Sequence, residues 1–346
     1  MPQPIQLSTC RIGTAEPPFI VAEVGSNFGN YEQSVKLIDL ALKAGASAVK
    51  FQTYKAETIA HPDAMFTLED GSQISQYEFF KRYELPESLH YELKAYCDQK
   101  GIIFFSTPSH YTDVDFLEKV GIEIYKTGSD DLTNTPFLKY VAATGKPMLV
   151  STGMCTLSEI GEAVEAIFST GNRNLVLLHC VVGYPAHEDE ANIRVIKTLQ
   201  KAFDVFVGFS DHFQSLVPAV LAASLGATVF EKHITLDRSV GGSDNDVAVE
   251  LDVFTEYVCQ VRSVSSVLGK TFKEITPGEQ KWRKAARKSL VAIRDIKKGD
   301  TFDRNNLDIL RPSGGIHPRY FGLFLGAKAR RDIKAHELLQ WSDIHD

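Results

Sequence analysis

The sequence lacks the features of a secreted, membrane-bound or nucleic-acid-binding protein. Its first residues show no basic segment followed by an apolar run, which predicts no signal peptide. No apolar stretch reaches the roughly 18 residues that a membrane span requires. The formal net charge of −7 argues against a general nucleic-acid-binding protein, which would carry a basic excess.

Cysteine is also scarce. The 5 cysteines form no C-x-x-C pair, and an odd number does not suit a disulfide framework. Disulfides are rare in reducing compartments, so we expect a reduced, cytoplasmic protein. The 346 residues include 44% hydrophobic and 23% charged residues, as in a globular protein that can bury a large core.

Strand-like and helical segments alternate over residues 19–268. The first strand-like run, Phe19–Gly25, is nearly all apolar, as in parallel strands that are covered on both faces. Eight such strands are each followed by a helical segment, and glycines end several of the helices. This pattern predicts an α/β fold, a (β/α)8 TIM barrel. A doubly wound open sheet is the alternative, but no G-x-G-x-x-G follows the first strand.

Four segments lie outside this alternation. Residues 3–17 predict a short hairpin, and the insertion from Thr53 to Leu85 is polar and irregular, either a lid over the pocket or an oligomer contact. We predict a barrel domain over residues 1–269, a linker over 270–287 and a small β-rich domain over 288–346. In this last domain Arg294-Asp295-Ile296-Lys297 recurs as Arg331-Asp332-Ile333-Lys334.

Nearly every predicted barrel strand ends in polar residues, whereas the amino ends of the strands show no such series. Catalytic groups of barrels come from the carboxyl ends of the strands, so this series predicts an active site. The residues are Glu23, Lys50, Gln52, Ser106, Thr107, Lys126, Ser129, Ser151, Thr152, His179, Ser210, Asp211, His212, Glu231 and His233.

Two lysines and four hydroxyl side chains in this series suit a phosphate or carboxylate group, which binds cations and neutral donors. They are Lys50, Lys126, Thr107, Ser129, Ser151 and Ser210. A surface salt bridge is the alternative for each lysine. However, a lysine within an apolar run such as Ala48–Gln52 is costly to bury unless it is paired.

His212 and His233 end two successive strands and suit a borderline divalent metal ion, although a lone histidine is more often structural. Glu231 alternates onto the same face as His233 and is a further ligand or a residue that supports one. Glu23, alone at the end of an apolar strand, is the best candidate for a general acid/base. Its alternative is an ion pair with a neighbouring lysine. His179 either lines the pocket or is a core histidine.

Several motifs occur in a fixed order along the whole chain. In the first domain they are Ala22-Glu23-Val24-Gly25-Ser26-Asn27, Val49-Lys50-Phe51-Gln52-Thr53, Phe105-Ser106-Thr107-Pro108, Tyr125-Lys126-Thr127-Gly128-Ser129, Ser151-Thr152-Gly153-Met154, Leu178-His179-Cys180, Tyr184-Pro185, Ser210-Asp211-His212 and Glu231-Lys232-His233. In the tail they are Ala286-Arg287-Lys288-Ser289-Leu290, Arg294-Asp295-Ile296 and Leu310-Arg311-Pro312. This series resembles the sialic acid (N-acetylneuraminate) synthase family, and the tail resembles that family's antifreeze-like (SAF) domain.

The resemblance implies a metal-dependent condensation of phosphoenolpyruvate with an open-chain N-acylated aldose. N-acetylmannosamine is the type substrate, and the products are a nine-carbon 2-keto acid and phosphate. Catalysis would rest on Glu23, which would transfer protons, and on His212 and His233, which would hold Mn²⁺, with Mg²⁺ or Co²⁺ as alternatives.

The resemblance also implies the substrate contacts. Phosphoenolpyruvate would be held by Lys50, Thr107, Lys126, Ser129, Ser151 and Ser210. The sugar would contact Gln52, Tyr184 and Asp244. Family members are domain-swapped homodimers, so Arg311 would reach the N-acyl group of a sugar bound in the other subunit.

Three departures from the family pattern lie on the sugar side. Phe28-Gly29 follows Asn27, Val182-Gly183 precedes Tyr184, and the loop after His233 reads Gly242-Ser243-Asp244-Asn245. They favour an alternative substrate, a 2,4-diacetamido-6-deoxy aldose, and a product of the legionaminic or pseudaminic acid type.

Two other functions remain as rivals. A 3-deoxy-octulosonate phosphate synthase would lack the tail domain, so residues 288–346 argue against it. A carbohydrate-binding protein that keeps the fold without turnover is the non-enzyme alternative.

Overall fold

In a computed structural model, which describes residues 2–67, 71–239 and 244–344, the chain divides into two units, Met1–Gly269 and Lys270–Asp346. The strands are β1 (Ile5–Gln6), β2 (Arg11–Ile12), β3 (Phe19–Glu23), β4 (Ala48–Thr53), β5 (Met65–Thr67), β6 (Gln73–Ser75), β7 (Ile103–Pro108), β8 (Tyr125–Thr127), β9 (Met148–Ser151), β10 (Leu175–Cys180), β11 (Phe206–Asp211), β12 (Val229–His233), β13 (Ser289–Ala292) and β14 (Leu307–Leu310).

The helices of the first unit are α1 (Tyr31–Ala44), α2 (Ala56–Ile59), α3 (Gln76–Arg82), α4 (Glu87–Lys100), α5 (Tyr111–Val120), α6 (Thr135–Ala142), α7 (Leu157–Phe168), α8 (Val195–Phe203), α9 (Val217–Ser224) and α10 (Leu251–Leu268). Those of the second unit are α11 (Pro277–Ala286) and α12 (Phe321–Phe324). Within the described ranges, no helix combines the length and the apolar composition that a membrane crossing demands.

Eight parallel strands close into a barrel in the order β3-β4-β7-β8-β9-β10-β11-β12, and the last strand pairs with the first. Every residue of β3, β10 and β11 is buried, because helices cover the outer face and side chains fill the interior. The closing pair is in register, with His233 opposite Glu23. The predicted (β/α)8 barrel is therefore confirmed, and its closure sets two predicted site residues side by side.

The insertion after β4 is more ordered than the sequence predicts. It contains the helices α2 and α3 and an antiparallel pair of strands, β5 and β6. Phe66, Phe79 and Phe80 pack edge to face, with ring centroids 5.4–5.9 Å apart, and Tyr54 packs on Phe80 at 5.3 Å. The expectation of an irregular segment is wrong, since this aromatic cluster gives the insertion a small apolar core.

Other boundaries differ in detail. The N-terminal hairpin is present as β1 paired with β2. Helix α8 begins at Val195, four residues later than the predicted start at Ala191, because a 3₁₀ turn over Glu188–Glu190 comes first. Residues 270–287, predicted to be a linker, contain the helix α11. Thr276 caps this helix by accepting a hydrogen bond from the backbone N–H of Glu279.

In the second unit, the two copies of the Arg-Asp-Ile-Lys repeat pair with each other. Ile296 and Ile333 exchange both backbone hydrogen bonds, each 2.8 Å long. Lys297 contacts Asp332 and Lys334 contacts Asp295, both at 3.2 Å. The repeat therefore forms a reciprocal pair around a small core that includes Leu290, Phe302, Phe324 and Leu339.

Candidate active site

A cavity of about 260 Å³ lies at the carboxyl ends of the barrel strands. Eleven of the residues expected to act in catalysis or substrate binding line it, and each stands in a barrel strand or in the loop that follows one. They are Glu23, Lys50, Gln52, Thr107, Lys126, Ser129, Ser151, Tyr184, Ser210, His212 and His233. Glu231 lines the cavity as well, whereas Ser106, Thr152, His179 and Asp211 of the strand-end series are not among the lining residues.

A chain of buried ion pairs crosses one side of the cavity. Nζ of Lys50 lies 2.9 Å from Oε2 of Glu23 and 3.8 Å from Oε2 of Glu231. Nζ of Lys126 lies 3.5 Å from Oε1 of Glu231. Each lysine thus has the partner that its burial requires, and the ion pair considered for Glu23 is present.

Neutral side chains complete this network. Lys50 donates a 3.0 Å hydrogen bond to the hydroxyl of Thr107, and Gln52 donates one of 3.2 Å to Glu23. Ser210 donates a 2.9 Å hydrogen bond to Glu231. The hydroxyl of Ser151 is buried and has no hydrogen-bond partner among the described residues, so it can bind a ligand.

The two carboxyl groups of this network have opposite pKa shifts. Burial raises the pKa of Glu23 to about 7, and the attraction of Lys50 offsets only part of this effect. Burial opposes ionisation of Glu231 too, but Lys126 and Lys50 outweigh it and lower the pKa of Glu231 to about 2. Glu23 can therefore exchange a proton near neutral pH, while Glu231 stays a fixed negative charge.

His212 and His233 face each other across the other side of the cavity, with ring centroids 5.4 Å apart. Burial lowers the pKa of both, that of His212 to about 3, so both rings are neutral at pH 7. Nδ1 of His212 lies 2.9 Å from the carbonyl oxygen of Val181, which places its proton there and leaves Nε2 as a lone-pair donor.

These two rings fit a divalent metal ion. Nδ1 of His233 is buried, lies 3.9 Å from Oδ2 of Asp244 and has no hydrogen-bond partner in the described part of the chain, which suits a nitrogen that can bind a metal ion. Neutral imidazole is the form that binds metals. The described residues contain no cluster of three or more His, Cys, Asp or Glu side chains that could hold a metal, so protein ligands beyond this pair are not evident.

Tyr184 and Asp244 lie next to the histidines. The ring of Tyr184 is 4.4 Å from that of His212 and 5.9 Å from that of His233. Asp244 accepts hydrogen bonds of 2.9 Å and 3.0 Å from the backbone and hydroxyl of Ser26. A side chain on Gly25, whose φ is +54°, would collide with the Asp244 carboxylate. Gly242 and Ser243 belong to the loop that departs from the family pattern, and they lie outside the described residues.

Two predicted candidates remain, His179 and Arg311. His179 hydrogen-bonds the carbonyl of Ala191 at 2.8 Å and is not among the residues that line the cavity, so it is a core histidine. Arg311 follows β14 in the second unit, where it is exposed.

The sequence prediction missed part of the cavity wall. Tyr54, Ile59 and Phe80 of the insertion line the cavity together with Met154 and Val182. The available signal was the pair Phe79-Phe80 within an otherwise polar segment. The insertion thus contributes an apolar wall to the site.

Comparisons with known proteins find relatives over most of the chain. A model of the NeuB family matches residues 37–273, and a model of the SAF domain matches residues 287–345. The N,N′-diacetyllegionaminic acid synthase of Campylobacter jejuni is 37% identical over 93% of this chain and 98% of its own length. The pseudaminic acid synthase of the same bacterium is 35% identical over 96% and 98%.

Among solved structures, N-acetylneuraminic acid (sialic acid) synthetase from Leptospira borgpetersenii, in complex with citrate, superposes with a TM-score of 0.73. It is 32% identical, and the match covers 82% of this chain and 95% of that one.

Proposed function

Because the chain belongs to the NeuB family and is an enzyme of the sialic acid synthase type, we propose that it condenses phosphoenolpyruvate with an open-chain N-acylated aldose. The products are a nine-carbon 2-keto sugar acid and phosphate. One observation carries this proposal: two buried lysines that share Glu231 face a pair of neutral histidines across a single cavity.

The proposed reaction forms one carbon–carbon bond and breaks the bond between C2 and the phosphate oxygen. C3 of phosphoenolpyruvate attacks the aldehyde carbon, and the electron pair of the enol double bond forms the new carbon–carbon bond. Water adds at C2, and one of its protons goes to the aldehyde oxygen. The tetrahedral centre at C2 then expels phosphate, which takes the second proton, and leaves a ketone. The enzyme must therefore bind a trianionic substrate, orient the aldehyde and move protons.

The lysine side of the cavity would hold phosphoenolpyruvate. Lys50 and Lys126 supply positive charge, and Thr107, Ser129, Ser151 and Ser210 supply neutral donors. The hydroxyl of Ser151, which has no hydrogen-bond partner among the described residues, supports this role because it can donate a hydrogen bond to the ligand.

Glu23 would move the protons. Its raised pKa leaves the carboxyl group partly protonated near neutral pH, the condition for a general acid/base. It lies beside His233 in the closing strand pair, so it is close to both halves of the cavity. There it would exchange a proton with the aldehyde oxygen or with the attacking water.

His212 and His233 would hold Mn²⁺, with Mg²⁺ or Co²⁺ as alternatives. When bound, the ion would act as a Lewis acid that polarises the aldehyde. The two rings would fix its position, and substrate or water would complete its coordination.

The sugar would contact Gln52, Tyr184 and Asp244. N-acetylmannosamine is one candidate, in line with the sialic acid synthetase that this chain resembles in structure. A 2,4-diacetamido-6-deoxy aldose is the second, favoured by the 37% identity to a diacetyllegionaminic acid synthase. We further propose a domain-swapped homodimer in the cytoplasm, in which Arg311 contacts the N-acyl group bound by the other subunit.

Phosphate release tests the proposal. The protein is mixed with phosphoenolpyruvate, Mn²⁺ and each sugar of a panel, and the product is weighed by mass spectrometry. Release with one N-acylated aldose and a product mass of the matching nonulosonic acid are expected. Release with no sugar of the panel would contradict the proposal and would favour a carbohydrate-binding protein.

A further inference from the structure

Two charged residues precede the two histidines, and their side chains point away from the cavity. Asp211 comes directly before His212 and Lys232 directly before His233, and the two are paired in the β11–β12 register. Side chains alternate across a strand, so residues that neighbour cavity-lining positions face the surrounding helices. Asp211 and Lys232 are 0% and 1% exposed, so the proposed catalytic function leaves this buried pair unexplained.

The pair also holds the backbone that follows His212. Nζ of Lys232 lies 3.2 Å from Oδ1 of Asp211. The same Oδ1 atom accepts a 2.8 Å hydrogen bond from the N–H of Phe213, and Lys232 donates to the carbonyl oxygen of Phe213. Both polar groups of the Phe213 backbone are thus bound by two charged side chains, with the Tyr257 ring 6.0 Å from the ammonium group.

Stability alone does not account for this arrangement. Removing two charges from water costs several kcal/mol per ion, and apolar residues of similar volume often stabilise a core as well or better. A buried ion pair with further hydrogen bonds does fix geometry, because any other position would leave a buried charged group without its partners. Here it joins the two strands that carry the histidines at the position directly before each one.

We propose that Asp211 and Lys232 are positioning residues that set the separation of His212 and His233 for a divalent metal ion. The inference rests on the proposed metal-binding role of the two histidines. Without the pair, the backbone after His212 loses its anchor, and the two imidazole rings no longer share one fixed geometry.

Direct binding of Mn²⁺ to the full-length protein tests this role. Two variants are compared with wild type: Lys232→Met, and the double variant Asp211→Asn/Lys232→Met, which leaves no unpaired buried charge and is expected to fold. Free Mn²⁺ is measured by electron paramagnetic resonance, and phosphoenolpyruvate binding is measured separately by calorimetry without metal. We expect Kd for Mn²⁺ to rise about tenfold or more, with Kd for phosphoenolpyruvate near its wild-type value.

Asn172→Ala is the matched control. Asn172 is buried near the amino end of β10, where its side chain donates to the carbonyls of Ala142 and Lys146 at 3.3 Å and 2.7 Å. The variant loses buried hydrogen bonds far from the carboxyl ends of the strands. Its Tm should fall while its Kd for Mn²⁺ stays unchanged.

The outcomes separate this inference from its premise. Unchanged Mn²⁺ affinity in the folded double variant would overturn it, as would a parallel loss of phosphoenolpyruvate binding or an equal loss of Mn²⁺ binding in Asn172→Ala. His212→Ala reports on the premise, because it should abolish Mn²⁺ binding without unfolding. Wild-type Mn²⁺ affinity in His212→Ala would remove the metal pair itself, and the positioning role with it.

Discussion

Nζ of Lys50 and Oε2 of Glu23 lie 2.9 Å apart, and both side chains are almost completely buried. Such a pair responds to any further charge that enters the cavity, because little water is present to screen it. An arriving phosphate would compete with Glu23 for Lys50. Its negative charge would raise the pKa of Glu23 further and favour proton uptake at the moment of substrate binding.

The raised pKa of Glu23 predicts how stability depends on pH. Burial raises that pKa from 4.5 to about 7. Between these pH values the unfolded chain has released the Glu23 proton and the folded protein retains it, so this residue makes the free energy of unfolding fall as pH rises. Glu23→Gln loses the ion pair with Lys50, but the difference in stability between the variant and wild type should shift in the variant's favour as pH rises across this window. Urea unfolding at several pH values measures the difference, and parallel curves would contradict it.

Glu231→Gln should separate stability from anion binding. The change leaves Lys126 without its carboxylate, and breaking a buried ion pair costs about 3 kcal/mol. The same lysines lose a competing carboxylate, so inorganic phosphate should bind more tightly than to wild type. Calorimetry with phosphate and urea unfolding provide the two measurements.

The control is Glu118→Gln, which breaks the ion pair with Lys146 outside the cavity, where both side chains are partly exposed. It should change stability by less than about 1 kcal/mol and leave phosphate binding unchanged. Weaker phosphate binding in Glu231→Gln would argue against an anion site at the two lysines.

Gly25→Ala should impair use of the sugar. Its φ of +54° strains an alanine by about 1 kcal/mol, and the added methyl group would collide with the carboxylate of Asp244. KM for the sugar should rise, while Kd for phosphoenolpyruvate stays the same. Gly121→Ala is the control, because Gly121 has a φ of +82° and open space around it. A similar rise of KM in both variants would mean that strain alone is responsible.

Metal removal should abolish turnover and leave anion binding intact. After treatment with a chelator, phosphate release should cease, because no Lewis acid remains for the aldehyde, and added Mn²⁺ should restore it. Phosphoenolpyruvate should still bind to the stripped protein at Lys50 and Lys126. Full activity of the stripped protein would exclude the assignment of His212 and His233 as metal ligands.

Arg311→Ala should raise KM for the sugar if the second unit serves the active site of a partner subunit. Mixing it with Lys50→Ala under subunit exchange should restore up to about a quarter of wild-type activity, since half of the dimers then contain one intact site of two. Arg304→Ala, another exposed arginine of the same unit, should behave as wild type. A mixture no more active than its components would contradict a shared site.

The barrel was predictable because its signal is local. Strands such as Phe19–Glu23 are apolar runs that end in a polar residue. This pattern can be recognised without knowing which strands are neighbours in the sheet. The convergence of Lys50, Lys126 and Glu231 was predictable only in outline. Strand ends indicate a common face, but which carboxylate meets which ammonium group depends on register and side-chain reach.

Other features depend on contacts that the sequence does not display. The strands β5 and β6 have 3 residues each and are supported by Phe66 packed on Phe79 and Phe80. The pairing of Asp211 with Lys232 follows from the alignment of β11 with β12, which no local pattern specifies. Both features therefore emerge only when the chain is folded.

Because β12 closes the barrel against β3, the sheet cannot be completed until late in synthesis of the chain. Glu23 and His233 lie side by side in the finished sheet but about 200 residues apart in the chain. At roughly 5–20 residues per second, a ribosome needs on the order of 10 to 40 s to travel from one to the other. Until β12 has been made, β3 lacks its barrel partner on one side. A transcript cut short before β12 would yield a product with neither a closed sheet nor a complete active site.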